Sequence, residues 1–340
     1  MARLKPRSVD LLKGAVLAMA FAATSSCVSF PPAPPHLAQP HFEGDRLIAS
    51  DGASLGLDAW RAENPKAVIV AVHGMNDYGH AFEGPGAWWS SQSGITVYAY
   101  DQRGFGRSPM FGRWAGEDTL IADLRSAISA ARGENPHTPL FVLGHSMGAA
   151  VTIMAADDAP LDVDGVILAA PGVWGGGSMP ILYRITLNLA AAFAPGKTLT
   201  GERTGRRSTD NIPILREMFA DPYVIKPTRL DAVVGVVRMM GHAYGASNEV
   251  GGKLLFLYGE KDEIIPVKTM VRASHRLCGD VDVKSYPEGW HLLFRDLQAE
   301  TVWRDVADWV LAASAEEDAS GAASPRSLFG PATSACLGGP

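Results

Sequence analysis

The sequence has few cysteines and no lysine- or arginine-rich run in its body. Its three cysteines, Cys27, Cys278 and Cys336, lie far apart and form no C-x-x-C pair, so the sequence indicates neither a zinc site nor a disulfide framework. A formal net charge of −6 argues against nucleic acid as a partner. With 340 residues, 47% of them hydrophobic, the chain can form one large domain with an insertion or two small domains.

The first residues have the layout of an export signal. A basic start precedes an apolar block, residues 14–23, that is too short to span a bilayer comfortably. Small residues then lead to Cys27, and the whole resembles a bacterial lipoprotein signal, whose cysteine is lipidated and becomes the new N-terminus. We therefore expect a signal peptide over 1–26, export from a bacterial cytoplasm, and a lipid anchor at Cys27 facing the periplasm. A plain signal peptide or an uncleaved anchor is the alternative.

The folded region is expected to lie between two unstructured segments. Residues 30–40 are proline-rich, so residues 27–41 are predicted to be an extended tether. The sequence after Leu311 loses its hydrophobic pattern, and residues 313–340 are predicted to be disordered. The domain should therefore occupy residues 42–312.

Apolar strands alternate with amphipathic helices along this region. Residues 67–73 and 96–100 have the pattern of buried strands, and residues 140–143, 165–169, 253–258 and 281–286 are predicted to be further strands. Residues 119–132 and 301–311 have helical spacing. This alternation predicts the α/β class, with a mostly parallel central sheet flanked by helices. The pattern breaks over about 173–250, which we interpret as an inserted helical cap without a clear strand.

The most informative motif is G-x-S-x-G at the end of a predicted strand. Gly144-His145-Ser146-Met147-Gly148 follows the apolar run 139–143, and helix-forming residues follow it. A sharp strand-to-helix turn places such a serine at its apex, with the hydroxyl pointing into a cleft. Ser146 is therefore the candidate nucleophile; the alternative is a serine in an ordinary loop.

A serine hydroxyl needs a base, and that base needs an orienting acid. In sheets of this kind the order along the chain is serine, acid, histidine. The turn after the strand at 253–258 offers Asp262 as the candidate acid, with Glu260 and Glu263 as rivals, and the choice of Asp262 depends largely on the resemblance given below. Of the later histidines, His275 falls in a helical stretch, whereas His291 follows a strand and is the candidate base.

The oxyanion of an acyl-transfer intermediate needs fixed hydrogen-bond donors. The backbone N–H groups of Met147, at the helix start, and Met75, in the loop after the strand ending at His73, are the candidates, with Asn76 next. His73 itself is expected to bond this loop rather than to react.

Two glycine-containing segments fail as nucleotide sites. In residues 101–108 the third glycine of a dinucleotide motif is replaced by Pro109, so we interpret this segment as a turn held by Asp101 and Arg103. Gly196-Lys197-Thr198 lacks the first glycine of a P-loop and follows no strand.

The insertion carries two apolar helical patterns, one over 181–193 and one over 233–240. Such faces above a cleft predict a cap that binds an acyl chain, or else a small satellite core.

Taken together, these motifs resemble the α/β-hydrolase superfamily, and more narrowly its monoacylglycerol lipase and lysophospholipase branch, often labelled serine aminopeptidase-like. The resemblance covers about 42–311 and depends on His73-Gly74, the glycine turn at 101–108, the serine motif, Gly259-x-x-Asp262 and Gly289-x-His291. It implies Ser146 as nucleophile, Asp262 as acid, His291 as base, and the amides of Met75 and Met147 as oxyanion donors. It implies no cofactor and no metal. Asp77-Tyr78 departs from the Glu-His that branch members often have there.

The sequence therefore predicts an exported serine hydrolase of carboxylic esters, with monoacyl lipids favoured as substrates. An aminopeptidase-like amide hydrolase on the same fold is the first alternative, and it would need acidic residues in the cap, such as Glu217 and Asp221. A non-catalytic binding protein is the second. Haloalkane or epoxide chemistry would require aspartate where Ser146 stands.

Overall fold

The computed structural model describes residues 30–174, 181–200, 205–319 and 329–331. The expected signal peptide and Cys27 lie outside these residues. The strands are β1 (His41–Glu43), β2 (Arg46–Ile48), β3 (Ser54–Trp60), β4 (Ala67–Val72), β5 (Ile95–Tyr100), β6 (Leu140–His145), β7 (Gly165–Ala169), β8 (Thr198–Thr200), β9 (Pro227–Arg229), β10 (Val250–Gly259), β11 (Cys278–Tyr286) and β12 (Gly330–Pro331).

One large sheet organises these strands. Its spatial order is β1-β2-β3-β5-β4-β6-β7-β10-β11, with β12 beside β10. Strands β4, β5, β6, β7, β10 and β11 pair in parallel, whereas β1, β2 and β3 are antiparallel. The predicted mostly parallel sheet is confirmed.

Helices cover both faces of the sheet. They are α1 (Glu83–Trp88), α2 (Glu117–Glu134), α3 (Met147–Asp158), α4 (Ile181–Phe193), α5 (Ile212–Ala220), α6 (Leu230–Ala246), α7 (Val267–Ser274) and α8 (Ala299–Ala319). Along β4, Val68, Val70 and Val72 join one hydrophobic cluster with α2 and α3, while Ala67, Ile69 and Ala71 join a second cluster with α8. This period of two is what a strand buried on both faces requires.

The parallel strands deliver the candidate residues to one edge. Ser146 follows β6, the loop 73–77 follows β4, Asp262 follows β10 and His291 follows β11. Since the carboxyl ends of parallel strands lie on the same side of a sheet, four distant segments of chain meet there.

The segment between β7 and β10 contains α4, α5 and α6, and also two short strands. The expectation that this segment has no clear strand is wrong, because β8 and β9 form an antiparallel pair in which Thr198 lies opposite Arg229. Each has only three residues, too few for a periodic pattern. Leu187 and Ala191 of α4 pack with Leu230 and Val234 of α6, which is the satellite core named above as the alternative. Other apolar side chains of this segment stay exposed: Ile185, Leu189, Phe193, Leu199, Ile212, Phe219 and Tyr223.

The prediction of disorder from residue 313 is wrong for two described stretches. Helix α8 continues to Ala319, and Ala313 is buried in the core against the sheet. Phe329 is only 1% exposed and bridges to Leu161, after which Gly330 and Pro331 pair with β10. A single buried aromatic anchor has no periodicity, so the sequence could not indicate it.

Residues 30–40 form neither helix nor strand, but they contact the domain. The Phe30 ring lies 6.3 Å from the Trp114 ring, edge to face, and the amides of Leu37 and Ala38 donate to the carbonyl of Ser50. Gly235 of α6 packs against the ring of Trp114, where an added Cβ would lie 2.4 Å away. Among the described helices, none combines the length and apolar character needed to cross a bilayer.

Candidate active site

Ser146 occupies a strained turn between β6 and α3. Its φ of 54° and ψ of −114° lie in a region that costs a non-glycine residue roughly 1–3 kcal/mol. Hydrogen bonds hold the turn: the amide of Ser146 donates to the carbonyl of Ala169 at 2.9 Å, and its carbonyl accepts from the amide of Gly172 at 2.8 Å. The strain falls on the serine itself and turns its side chain out of the helix that follows.

The two glycines of the motif are required by space rather than by a positive φ, which neither of them has. A Cβ on Gly144 would lie 2.6 Å from Cα of Ala149, and a Cβ on Gly148 would lie 2.1 Å from the carbonyl oxygen of Val72. The glycines therefore let α3 approach β4 and β6 closely enough to fix the position of Ser146.

Gly148→Ala should destabilise the protein by several kcal/mol, because the new methyl group overlaps the backbone of β4. The measurement is denaturant unfolding followed by circular dichroism. Gly133→Ala is the matched control, because Gly133 lies in α2 with no atom near the added Cβ. This substitution should raise the free energy of unfolding by about 0.5–1 kcal/mol. Equal stability of Gly148→Ala and the parent protein would contradict this packing argument.

The structure brings Ser146, His291 and Asp262 into one hydrogen-bonded chain. His291 Nε2 lies 2.9 Å from Ser146 Oγ, and His291 Nδ1 lies 2.8 Å from Asp262 Oδ2. All three residues are buried. An ionised carboxylate only accepts, so Nδ1 carries the hydrogen and Nε2 is free to accept the serine proton.

Asp262 is itself held by the turn that follows β10. Its Oδ1 accepts from the amides of Ile264 and Ile265 at 2.8 and 2.9 Å, which leaves Oδ2 for the imidazole. The alternative acids point elsewhere: Glu260 accepts from the hydroxyl of Ser285, and Glu263 accepts from the amide of Arg207. Of the three carboxylates in this turn, the structure brings Asp262 to His291.

The backbone amides of Met75 and Met147 are available as donors within the part of the chain that the structure describes. Among the described residues, neither donates to a backbone or side-chain acceptor, and Met147 is the first residue of α3. The loop that carries Met75 passes beside the nucleophile, since a Cβ on Gly74 would lie 3.2 Å from Cβ of Ser146. Free donors next to the serine are what an oxyanion requires.

His73 bonds the loop, as expected. Its Nδ1 donates to the carbonyl of Gly74 at 2.7 Å, and its Nε2 accepts from the amide of Gln102 at 2.9 Å. Burial lowers the pKa of His73, so the ring stays neutral and can make both bonds.

The glycine-containing turn at 101–108 is also structural. Asp101 accepts from the amides of Gly79 and Arg107, and Arg103 pairs with Asp51 and Asp123, each at 2.6 Å. These bonds confirm the interpretation of this segment as a turn held by Asp101 and Arg103.

Sequence reasoning missed His145 as a supporting residue. Its Nε2 donates to the carbonyl oxygen of His291 at 2.9 Å, and the two rings lie 5.2 Å apart. Burial, with a smaller contribution from His291, lowers the pKa of His145 to about 3, so it remains a neutral donor. The variable position between Gly144 and Ser146 gave no signal of this role.

Asp296 was missed as well. Its Oδ2 accepts from the amide of Trp290 at 2.7 Å and so steadies the backbone just before His291. Burial raises the pKa of Asp296 to about 6, although the hydrogen bonds oppose this shift. A carboxylate five residues after the base has no signature in sequence alone.

Glu217 and Asp221 do not lie with the candidate catalytic residues. They line a cavity of about 480 Å³ between α5, the start of α8 and residues 77–85, and none of Ser146, Asp262 and His291 is among its walls. The acidic residues proposed for the peptidase alternative therefore face a different space. The described residues contain no group of three or more histidine, cysteine, aspartate or glutamate side chains arranged to hold a metal.

Comparison with known proteins bears on the family and the fold. The model of the family "Serine aminopeptidase, S33" matches residues 63–298. A monoacylglycerol lipase of Mycolicibacterium smegmatis is 28% identical, covering 76% of this chain and 94% of the relative. The crystal structure of Paleococcus ferrophilus monoacylglycerol lipase superposes with a TM-score of 0.65 at 21% identity, over 76% of this chain and 99% of that one. The crystal structure of a Bacillus coagulans carboxyl esterase superposes with a TM-score of 0.63 at 18% identity, over 80% of this chain and 97% of the esterase chain.

The structural similarities show a shared fold, and the family match spans most of the chain. The resemblance stated from the motifs is confirmed: this chain belongs to the serine aminopeptidase S33 family of α/β-hydrolases.

Proposed function

We propose that the protein is a serine hydrolase that cleaves the ester bond of monoacyl lipids through an acyl-enzyme intermediate. The observation that carries the proposal is the continuous path from Ser146 Oγ through His291 to Asp262, with contacts of 2.9 and 2.8 Å. The family match and the similarity to lipases and esterases support the assignment to the class of ester hydrolases. The protein is a carboxylic ester hydrolase.

The geometry supports a two-step reaction. His291 Nε2 takes the hydroxyl proton while Ser146 Oγ attacks the ester carbonyl, and the carbonyl oxygen becomes an anion beside the amides of Met75 and Met147. The carbon–oxygen bond to the alcohol then breaks, and the alcohol leaves with the proton from His291. Water then attacks the acyl-enzyme and gives a proton to His291. The bond between the acyl carbon and Ser146 Oγ breaks, His291 returns the proton to Oγ, and the fatty acid leaves.

Monoacyl lipids are the favoured substrates for two reasons. The Mycolicibacterium smegmatis relative named as a monoacylglycerol lipase is matched over 94% of its length. The segment between β7 and β10 also exposes a group of large apolar side chains of the kind that contact lipid: Ile185, Leu189, Phe193 and Phe219.

A substrate panel tests the assignment. Purified protein should hydrolyse a monoacylglycerol faster than a lysophospholipid, a short p-nitrophenyl ester or an aminoacyl amide, measured as kcat/KM for each. Faster cleavage of the aminoacyl amide would favour the aminopeptidase alternative. Failure of a fluorophosphonate probe to label the protein would favour the non-catalytic alternative.

We also propose that the protein is exported and anchored through a lipid on Cys27, on the evidence of the basic, apolar and small-residue pattern that precedes it. Cys27→Ser should move the protein from the membrane fraction to the soluble fraction of an expressing bacterium, measured by immunoblot. Cys278→Ser, a partly buried position in β11, is the matched control and should leave the distribution unchanged. Persistence of the Cys27→Ser protein in the membrane fraction would contradict lipidation.

A further inference from the structure

We propose that the ion pair between Asp77 and Arg295 is a positioning device that sets the oxyanion amide of Met75 against the imidazole of His291. The inference depends on the proposed ester hydrolysis. The pair joins side chains 218 residues apart in the sequence, one from the loop after β4 and one from the loop after β11.

The aspartate end of the pair belongs to the turn that carries Met75. The amide of Asp77 donates to the carbonyl of Gly74 at 3.4 Å, so Met75 lies inside this turn. Oδ1 of Asp77 also accepts from the amide of Tyr78 at 3.0 Å, which leaves Oδ2 for the guanidinium. Fixing the carboxylate therefore fixes the turn from which the Met75 amide projects.

The arginine end belongs to the turn that begins just after His291. The amides of Arg295 and Asp296 donate to the carbonyl of Leu292 at 2.7 and 3.0 Å. The carbonyl of His291 is held in addition by His145. The guanidinium is thus attached to a compact turn next to the base.

The pair is largely buried, with the side chains of Arg295 and Asp77 only 13% and 8% exposed, where both residues line the cavity of about 480 Å³ described above. A buried pair resists the loss of either member, since the remaining charge is left without a partner. The two loops are therefore held at a fixed separation by one interaction that neither solvent nor salt screens strongly.

The inserted segment holds the same two loops from above. The amide of Ile225 donates to the carbonyl of Asn76, and the side chain of Asn211 donates to the carbonyl of Arg295, both at 2.9 Å. Contacts therefore join the loop after β4, the loop after β11 and the inserted segment to one another. The Asp77–Arg295 pair joins the two loops directly.

The proposed catalysis depends on the separation between the loop that carries Met75 and the loop that carries His291. The Met75 amide must meet the carbonyl oxygen of the substrate while His291 exchanges a proton with Ser146 at the same carbon. A displacement of about 1 Å in such an arrangement costs on the order of 10²-fold in rate.

Asp77→Asn tests the device. We expect kcat for a p-nitrophenyl ester to fall about 10- to 100-fold with little change in KM, because positioning is lost while the binding surface remains. Arg295→Lys, which keeps the charge, should retain most of kcat. Asp164→Asn is the matched control: Asp164 pairs with Arg132 at 3.2 Å, with side chains 4% and 13% exposed, and lies outside the site. It should lower stability without changing kcat of the folded enzyme.

A double-mutant cycle separates positioning from a purely structural role. If the pair acts as one unit, Asp77→Asn combined with Arg295→Gln should lower kcat no further than the worse single variant. Additive losses, or an Asp77→Asn kcat within about twofold of the parent, would overturn the inference. Activity and fluorophosphonate labelling of the parent are measured in the same preparation. An inactive, unlabelled parent would refute the proposed function instead.

Discussion

Ser146→Ala should reduce kcat for ester hydrolysis by about 10⁶-fold while the protein stays folded. In the proposed mechanism the hydroxyl forms the bond to the substrate, and no other side chain stands at the apex of the turn. Alanine occupies nearly the same volume, so the packing around the turn of β6 and α3 is kept. Hydrolysis of p-nitrophenyl butyrate, together with the thermal unfolding midpoint, measures both halves of this expectation.

Ser129→Ala is the matched control for this variant. Ser129 lies partly exposed on α2, and removing its hydroxyl should change neither rate nor stability. Retention of more than about one hundredth of the parental rate by the Ser146 variant would show that another nucleophile carries the reaction.

Asp262→Asn should lower kcat by about 10⁴-fold. In the proposed mechanism the carboxylate holds His291 with the hydrogen on Nδ1 and stabilises the imidazolium that forms during attack. An amide at this position can present its NH₂ group to Nδ1 and so favour the wrong tautomer, which leaves Nε2 unable to accept the serine proton. The measurement is kcat for the same ester across a range of pH.

Glu260→Gln and Glu263→Gln are the matched controls, because both remove a carboxylate from the same turn without touching His291. Their rates should equal that of the parent. If Glu263→Gln lost activity and Asp262→Asn retained it, the identity of the acid would have to be revised.

Much of this site could be predicted because its residues follow strands. The serine motif and the acid follow the apolar strands β6 and β10, the histidine follows the edge strand β11, and parallel pairing brings these positions together. Periodicity likewise predicted the buried faces of α2 and α8, where Leu120, Leu124, Val302 and Val306 are buried.

The features that the sequence could not predict depend on contacts between residues that belong to no periodic hydrophobic pattern. Asp77 and Arg295 lie in irregular loops, and only the folded sheet makes them neighbours. His145 occupies a variable position of its motif, and Phe329 is a lone aromatic residue in a polar tail. The role of the motif's glycines depends on the same kind of contact: they make room for α3 beside β4 and β6, while Ser146 adopts the positive φ.

The contact between Phe30 and Trp114 limits how far the domain could stand from a bilayer. Only Val28 and Ser29 lie between Cys27 and Phe30, and the three Cα-to-Cα steps of a fully extended chain span at most about 10 Å. An acyl group on Cys27 would therefore keep the body of the enzyme against the lipid headgroups rather than at the end of a long flexible linker. Such an enzyme would sample molecules in its own leaflet and would meet substrates dispersed in the surrounding fluid much less often.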